Sequence, residues 1–194
     1  MSDAAKPELP PTAGEADPAI ERMLLFTDAV LAITITLLAL EIRLPEQAGE
    51  LTDAGLLHAL GEIWPRYFGY ALSFVVIGTF WINHLRKFRW MRRLSSALLW
   101  LNLLFLLLIG IVPFATSVIA ENGGTVGTML YAAVMTLCAL TLALLWAYAV
   151  RARLIDEATP LEVARSSYVQ ALLFAAVFGG SVFLALGPPG GAEY

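Results

Sequence analysis

Tyr67-Phe68-Gly69-Tyr70-Ala71-Leu72-Ser73-Phe74-Val75-Val76-Ile77-Gly78-Thr79-Phe80-Trp81-Ile82-Asn83-His84-Leu85 runs 19 residues without a charge. It then breaks into Arg86-Lys87-Phe88-Arg89-Trp90-Met91-Arg92-Arg93, which carries five positive charges and no negative one. A helix needs roughly 20 apolar residues to cross about 30 Å of hydrocarbon, so the first stretch reads as a membrane span. The second reads as a cytoplasmic loop, because Lys and Arg in short loops stay on the inner side. Three further uncharged runs read the same way: Leu94 to Ala120 (27 residues), Asn122 to Val150 (29) and Ser166 to Ala192 (27). Upstream, Met23 to Leu40 is an 18-residue span that holds Asp28 near its start and stops at Glu41.

Composition agrees with this reading. Of 194 residues, 59% are hydrophobic and 14% charged, against about 45–50% and about 25% in a soluble domain. A disordered chain, a disulfide-stapled secreted domain and a typical cytosolic enzyme are excluded. The expected fold is all-α: a polytopic membrane helix bundle with five transmembrane helices. Residues 1–20 form an acidic, Pro- and Ala-rich leader expected to be disordered and cytoplasmic, and residues 21–194 a single transmembrane domain. The leader lacks the basic start and small-residue cleavage site of a signal peptide.

Orientation follows from the loops. Arg151, Arg153 and Arg165 follow the fourth span, whereas Pro45 to Ile63 has no Lys or Arg, and Glu121 is the one charge between spans three and four. The N-terminus is therefore expected in the cytoplasm of a multi-pass cell-membrane protein, and five spans leave the C-terminus outside.

Enzyme signatures are absent: there is no P-loop, dinucleotide fingerprint, GxSxG or HExxH. His58 in an outer loop and His84 at an inner helix end make no metal site. The basic loop is explained by positive-inside bias with some headgroup contact, so neither nucleic acid nor a cofactor is expected.

Asp28 is the exception to an apolar first span. A carboxylate there costs on the order of 2.5–3.5 kcal/mol on insertion scales and should face protein or water. It reads either as a helix-packing hub near the cytoplasmic interface or as part of an ion or proton path. Arg22, six residues away, is off its face, so a partner is expected from another helix. Asn83 and His84 end the second span and Asn102 opens the third, all on the side of Asp28. Buried polar groups at one depth can satisfy one another, which groups Asp28, Asn83, His84 and Asn102 as an interhelical network. Trp81 stands with these network residues at the end of the second span. The plainer reading of both Trp81 and Trp100 is an interfacial belt, which suits Trp100 better. Pro113 should kink the third span near its outer end.

These residues resemble the transmembrane protein 175 family of endosomal/lysosomal potassium channels, in its short prokaryotic form. The resemblance lies in Arg22-Met23-Leu24-Leu25-Phe26-Thr27-Asp28, in Gly78-Thr79-Phe80-Trp81-Ile82-Asn83-His84, in Leu101-Asn102-Leu103-Leu104 and in Pro113-Phe114. It covers residues 20–120 well and the remainder only by hydropathy. Thr27 stands where the family has Ser, and five spans stand against the family's six. Either the chain stops before the last helix or that helix is dispensable here; an outside C-terminus fits the first.

The resemblance implies a homotetrameric potassium-permeable channel, with the first helix lining a central pore and no TVGYG filter. Ile33, Leu37 and Leu40 match the family's aliphatic constriction, and Thr36 a hydroxyl position linked to ion coordination. Arg22, Phe26, Thr27 and Asp28 would hold the pore helix against the second and third spans. Potassium ions, the bilayer and three further copies are the implied partners. Two other readings stand beside this one: a proton- or cation-coupled carrier titrating at Asp28, and a non-conducting scaffold subunit. Against the carrier, the sequence shows neither internal repeats nor broken helices.

Overall fold

The computed structural model describes residues 17–44, 52–122, 124–156 and 159, with isolated positions at 169, 176 and 180. Five helices follow in order: α1 (Pro18–Leu40), α2 (Asp53–Glu62), α3 (Trp64–Phe88), α4 (Ser96–Asn122) and α5 (Thr125–Arg151). All except α2 are long and apolar enough to cross a membrane. These four answer the first four expected spans. The fifth, Ser166 to Ala192, lies outside the described residues apart from the isolated positions.

The helices outrun the uncharged stretches because a charge marks the edge of hydrocarbon, not the end of a helix. Arg86 and Lys87 lie in the last turn of α3, where cations suit the negative end of the helix dipole. At the other extreme, α1 starts inside the segment read as leader. Asp17 accepts a hydrogen bond from the Ala19 amide at 2.9 Å, and Pro18 occupies the first turn, where a missing N–H costs nothing. Ile20 is consequently buried, with Met23, against Phe88, Met91, Leu98 and Trp146.

The short loops make neighbours antiparallel, and α4 packs against α1, α3 and α5. A second core of Leu31, Leu38, Ile77, Phe80, Phe105, Ile109, Val112 and Met135 fills the middle. Between α4 and α5 the backbones touch closely. A Cβ on Gly127 would stand 3.2 Å from the Ile119 Cα and 3.3 Å from the Val118 carbonyl oxygen. Pro113 lies inside α4, which continues to Asn122 and leaves the Ile109 carbonyl without its helical donor.

Both ends are tied. At the Glu121 end, Arg66 donates to the Arg43 carbonyl at 2.6 Å and pairs with Glu121 at 3.5 Å. At the basic end, Met91 bridges Ile155 in antiparallel fashion, and Arg92 reaches Asp156 at 2.6 Å.

Candidate functional site

The polar residues of the basic end converge in two pieces. Asn102 on α4 is the centre of the first. Its Oδ1 faces His84 Nε2 of α3 at 2.9 Å, and its Nδ2 donates to Thr27 Oγ1 of α1 at 2.9 Å. With the amide nitrogen committed to Thr27, Asn102 meets His84 as an acceptor, so His84 carries its proton on Nε2. All three side chains are buried. The imidazole stacks on Phe88, 4.2 Å between ring centroids, and on Phe105 at 5.7 Å. Its Nδ1 has no partner among the described residues.

The second piece is Trp81 Nε1 donating to Asp28 Oδ1 at 2.8 Å. The carboxylate takes its partner from another helix, as the spacing of Arg22 requires, and that partner is the indole. Trp81 therefore does more than sit in an interfacial belt, while Trp100 is 72% exposed. Asn83, grouped with these residues by depth, is buried but does not join them. It lies one residue before His84 and so about 100° round α3.

Thr27 and Asp28 thus connect α1 to α4 and α3. Arg22 and Phe26 are exposed in the single chain and make no side-chain hydrogen bond to α3 or α4 among the described residues. The steps from Arg22 to Phe26, Ala29 and Ile33 follow the 3.6-residue period and place all four within an arc of about 60°, roughly 100–160° round the helix from Thr27.

That face is the other half of the site. α1 buries Ile20, Met23, Thr27, Leu31, Thr34 and Leu38. It leaves Ile33 59%, Leu37 43% and Leu40 63% exposed, with Thr36 exposed among them. The four fall within an arc of about 100°. Thr36 Oγ1 donates to the Ile33 carbonyl at 2.7 Å, so its proton is turned inward and its lone pairs outward. Thr34 donates likewise to Val30 but is buried.

One cluster escaped the sequence reading. At the far end Tyr131, Ser73 and Thr116 are buried together, with Ser73 Oγ 3.1 Å from Tyr131 Oη and 2.8 Å from Thr116 Oγ1. Thr116 gives its own proton to the Val112 carbonyl, so Ser73 donates to Thr116 and accepts from Tyr131. A lone Ser or Thr in an apolar run carries no signal of which hydroxyl it will meet.

The family model described as endosomal/lysosomal potassium channel TMEM175 matches residues 22–113. That segment contains Thr27, Asp28, Trp81, His84 and Asn102. A potassium channel of Streptomyces collinus is 38% identical over 151 residues, 75% of this chain and 72% of that one. The endosomal/lysosomal proton channel TMEM175 of Gallus gallus is 38% identical over 106 residues, 52% of this chain but only 21% of its own length. The crystal structure of a lysosomal potassium-selective channel TMEM175 homolog from Chamaesiphon minutus aligns with a TM-score of 0.72 and 30% identity. It covers 88% of this chain and 92% of that one. Sequence, fold and similarity agree, and the chain belongs to the TMEM175 family.

Proposed function

We propose that this chain is the subunit of a homotetrameric potassium channel in which α1 of each copy faces a shared axis. The observation that carries the reading is the two-sidedness of α1. Its polar anchors hold it to α3 and α4, while Ile33, Thr36, Leu37 and Leu40 are left uncovered on one arc. The relatives named as potassium channels support the ion.

Four copies around an axis form a closed ring, the ordinary way for a small chain to build a pore. Rings of Ile33, Leu37 and Leu40 offer methyl groups and no ligand, so they close the path by excluding water. The Thr36 ring offers oxygen lone pairs that replace part of a cation's hydration shell. Discrimination then comes from how much water an ion must shed to pass. The N-terminus lies in the cytoplasm, the membrane is the cell membrane, and no cofactor, nucleic acid or catalytic step takes part.

The test has two arms. Native mass spectrometry of the detergent-purified chain should give a tetramer. Planar bilayers should give unitary currents whose reversal potential follows the potassium gradient more closely than a sodium or pH gradient. Slow coupled flux without unitary events would instead indicate a carrier, and a monomer without flux would indicate a scaffold.

A further inference from the structure

We infer that the basic end binds the phosphate of an anionic phospholipid headgroup, at a composite site formed by the α3–α4 loop and the turn after α5, with Arg153 at its centre. The inference rests on the membrane reading and not on ion conduction.

Arg86, Arg89, Arg93, Arg151 and Arg153 are exposed at this end, and among the described residues none of the five has an ion pair. Arg92 is engaged by Asp156 through Nε at 2.8 Å and Nη2 at 2.6 Å. Arg86 and Arg151 lie in last helical turns, where the helix dipole already accounts for a cation. Arg89, Arg93 and Arg153 lie beyond the helices, outside the reach of that dipole argument.

Arg153 has a φ of 53°. The Leu154 amide bonds back to the Ala149 carbonyl at 3.0 Å and the Arg153 amide to Val150 at 3.2 Å. This is a Schellman turn, and Arg153 fills its left-handed slot, where glycine is the unstrained resident. Positive-inside bias explains how many arginines this end carries, but not why one stands where a side chain is disfavoured. A strained residue in a well-determined turn points to a use.

The turn is also held rigidly beside the other loop. The Leu154 carbonyl accepts from the amides of both Arg92, at 2.8 Å, and Arg93, at 3.3 Å, and the Asp156 amide donates to Trp90 at 2.8 Å. Arg93 and Arg153 therefore flank one bridged pair of backbones, fixed before any ligand arrives. Guanidinium forks suit a phosphodiester oxygen pair, and the exposed Trp100 suits the headgroup level.

The test is native mass spectrometry of the full chain titrated with phosphatidylglycerol or phosphatidylcholine of identical acyl chains. Phosphatidylglycerol should be retained more strongly. Arg153→Gly should weaken its retention about fivefold, equivalent to the ~1 kcal/mol one basic residue contributes near an anionic surface. The same variant should raise the melting temperature in phosphatidylcholine micelles, because the strain is relieved. Arg93→Gln should weaken retention, and Arg43→Gln, at the other end, should not. Equal retention of the two lipids would overturn the proposal, as would phosphatidylglycerol retention unchanged in Arg153→Gly. A lower melting temperature for Arg153→Gly would also overturn it, because Arg153 would then not be held at a cost.

Discussion

The Asn102 side-chain nitrogen donates to the Thr27 hydroxyl at 2.9 Å, joining residues 75 positions apart in the sequence. Both ends of the bond are buried, and the same asparagine meets His84 through its oxygen. One amide therefore sets the depth and rotation of α1 relative to both α3 and α4, which fixes the face that α1 leaves uncovered.

Thr27→Val keeps the shape of the side chain and removes the acceptor, stranding a buried N–H of Asn102. It should lower stability by about 1–2 kcal/mol, visible as a lower melting temperature in detergent. Thr27→Ser retains the oxygen and should cost less than half as much. Equal losses for Ser and Val would place the effect in the methyl group rather than the hydrogen bond.

The Trp81–Asp28 bond separates the two roles that can be given to the carboxylate. Asn keeps an oxygen where Trp81 Nε1 donates, so a packing role predicts that Asp28→Asn assembles normally while Asp28→Ala loses tetramer or melts earlier. Trp81→Phe should add little to the Asp28→Ala defect, since both remove one bond. A normal tetramer of Asp28→Ala with altered currents would assign the carboxylate to the ion path instead.

Gly127 is required by the close approach of α4 and α5. In Gly127→Ala the new methyl would meet backbone at 3.2 and 3.3 Å, atoms that cannot turn aside, and overpacking of this kind costs about 1–3 kcal/mol. Gly69→Ala is the comparison. Its methyl would meet side chains of Thr116 and Ala120 at 3.6 and 3.7 Å, ordinary contact, and helix propensity should make it neutral or stabilising. Thermal unfolding of the two variants checks the contrast.

How far the sequence carried the fold depends on the signal used. Charge-free runs located α3, α4 and α5, and an apolar run whose one charge is Asp28 located α1, since insertion in hydrocarbon selects against charge along a span. They did not show α2, whose Thr52 cap and ten residues lie in a loop under no such selection. At the site, shared depth was legible and rotation was not. Asn83 and His84 differ by one residue, and only the packing of α3 decides that His84 meets Asn102. Trp81 and Asp28 were legible as members of one network, but not as a bonded pair, because a tryptophan at an interface usually needs no partner beyond lipid and water.

The last prediction tests the uncovered face of α1. Ile33 and Leu37 are exposed in the single chain, whereas Leu38 is fully buried in the core with Ile77, Phe80 and Phe105. Leu38 lies about 100° round the helix from Leu37. Leu38→Asn places an amide in an apolar core and empties part of its volume, so it should cost about 2–5 kcal/mol and reduce the yield of folded tetramer. Ile33→Asn and Leu37→Asn should leave the melting temperature nearly unchanged. If the face lines a pore, an amide at Ile33 wets a ring that had repelled water, at little steric cost. Unitary conductance should rise and the reversal potential under opposed potassium and sodium should move towards zero, because a hydrated ion passes with less need to shed its shell. Leu37→Asn should act in the same direction but less, since the Ile33 ring still closes the path. Larger currents from Leu38→Asn than from Ile33→Asn would mean that the axis lies on the other side of α1, and the assignment of Ile33, Thr36, Leu37 and Leu40 to the pore would fail with it.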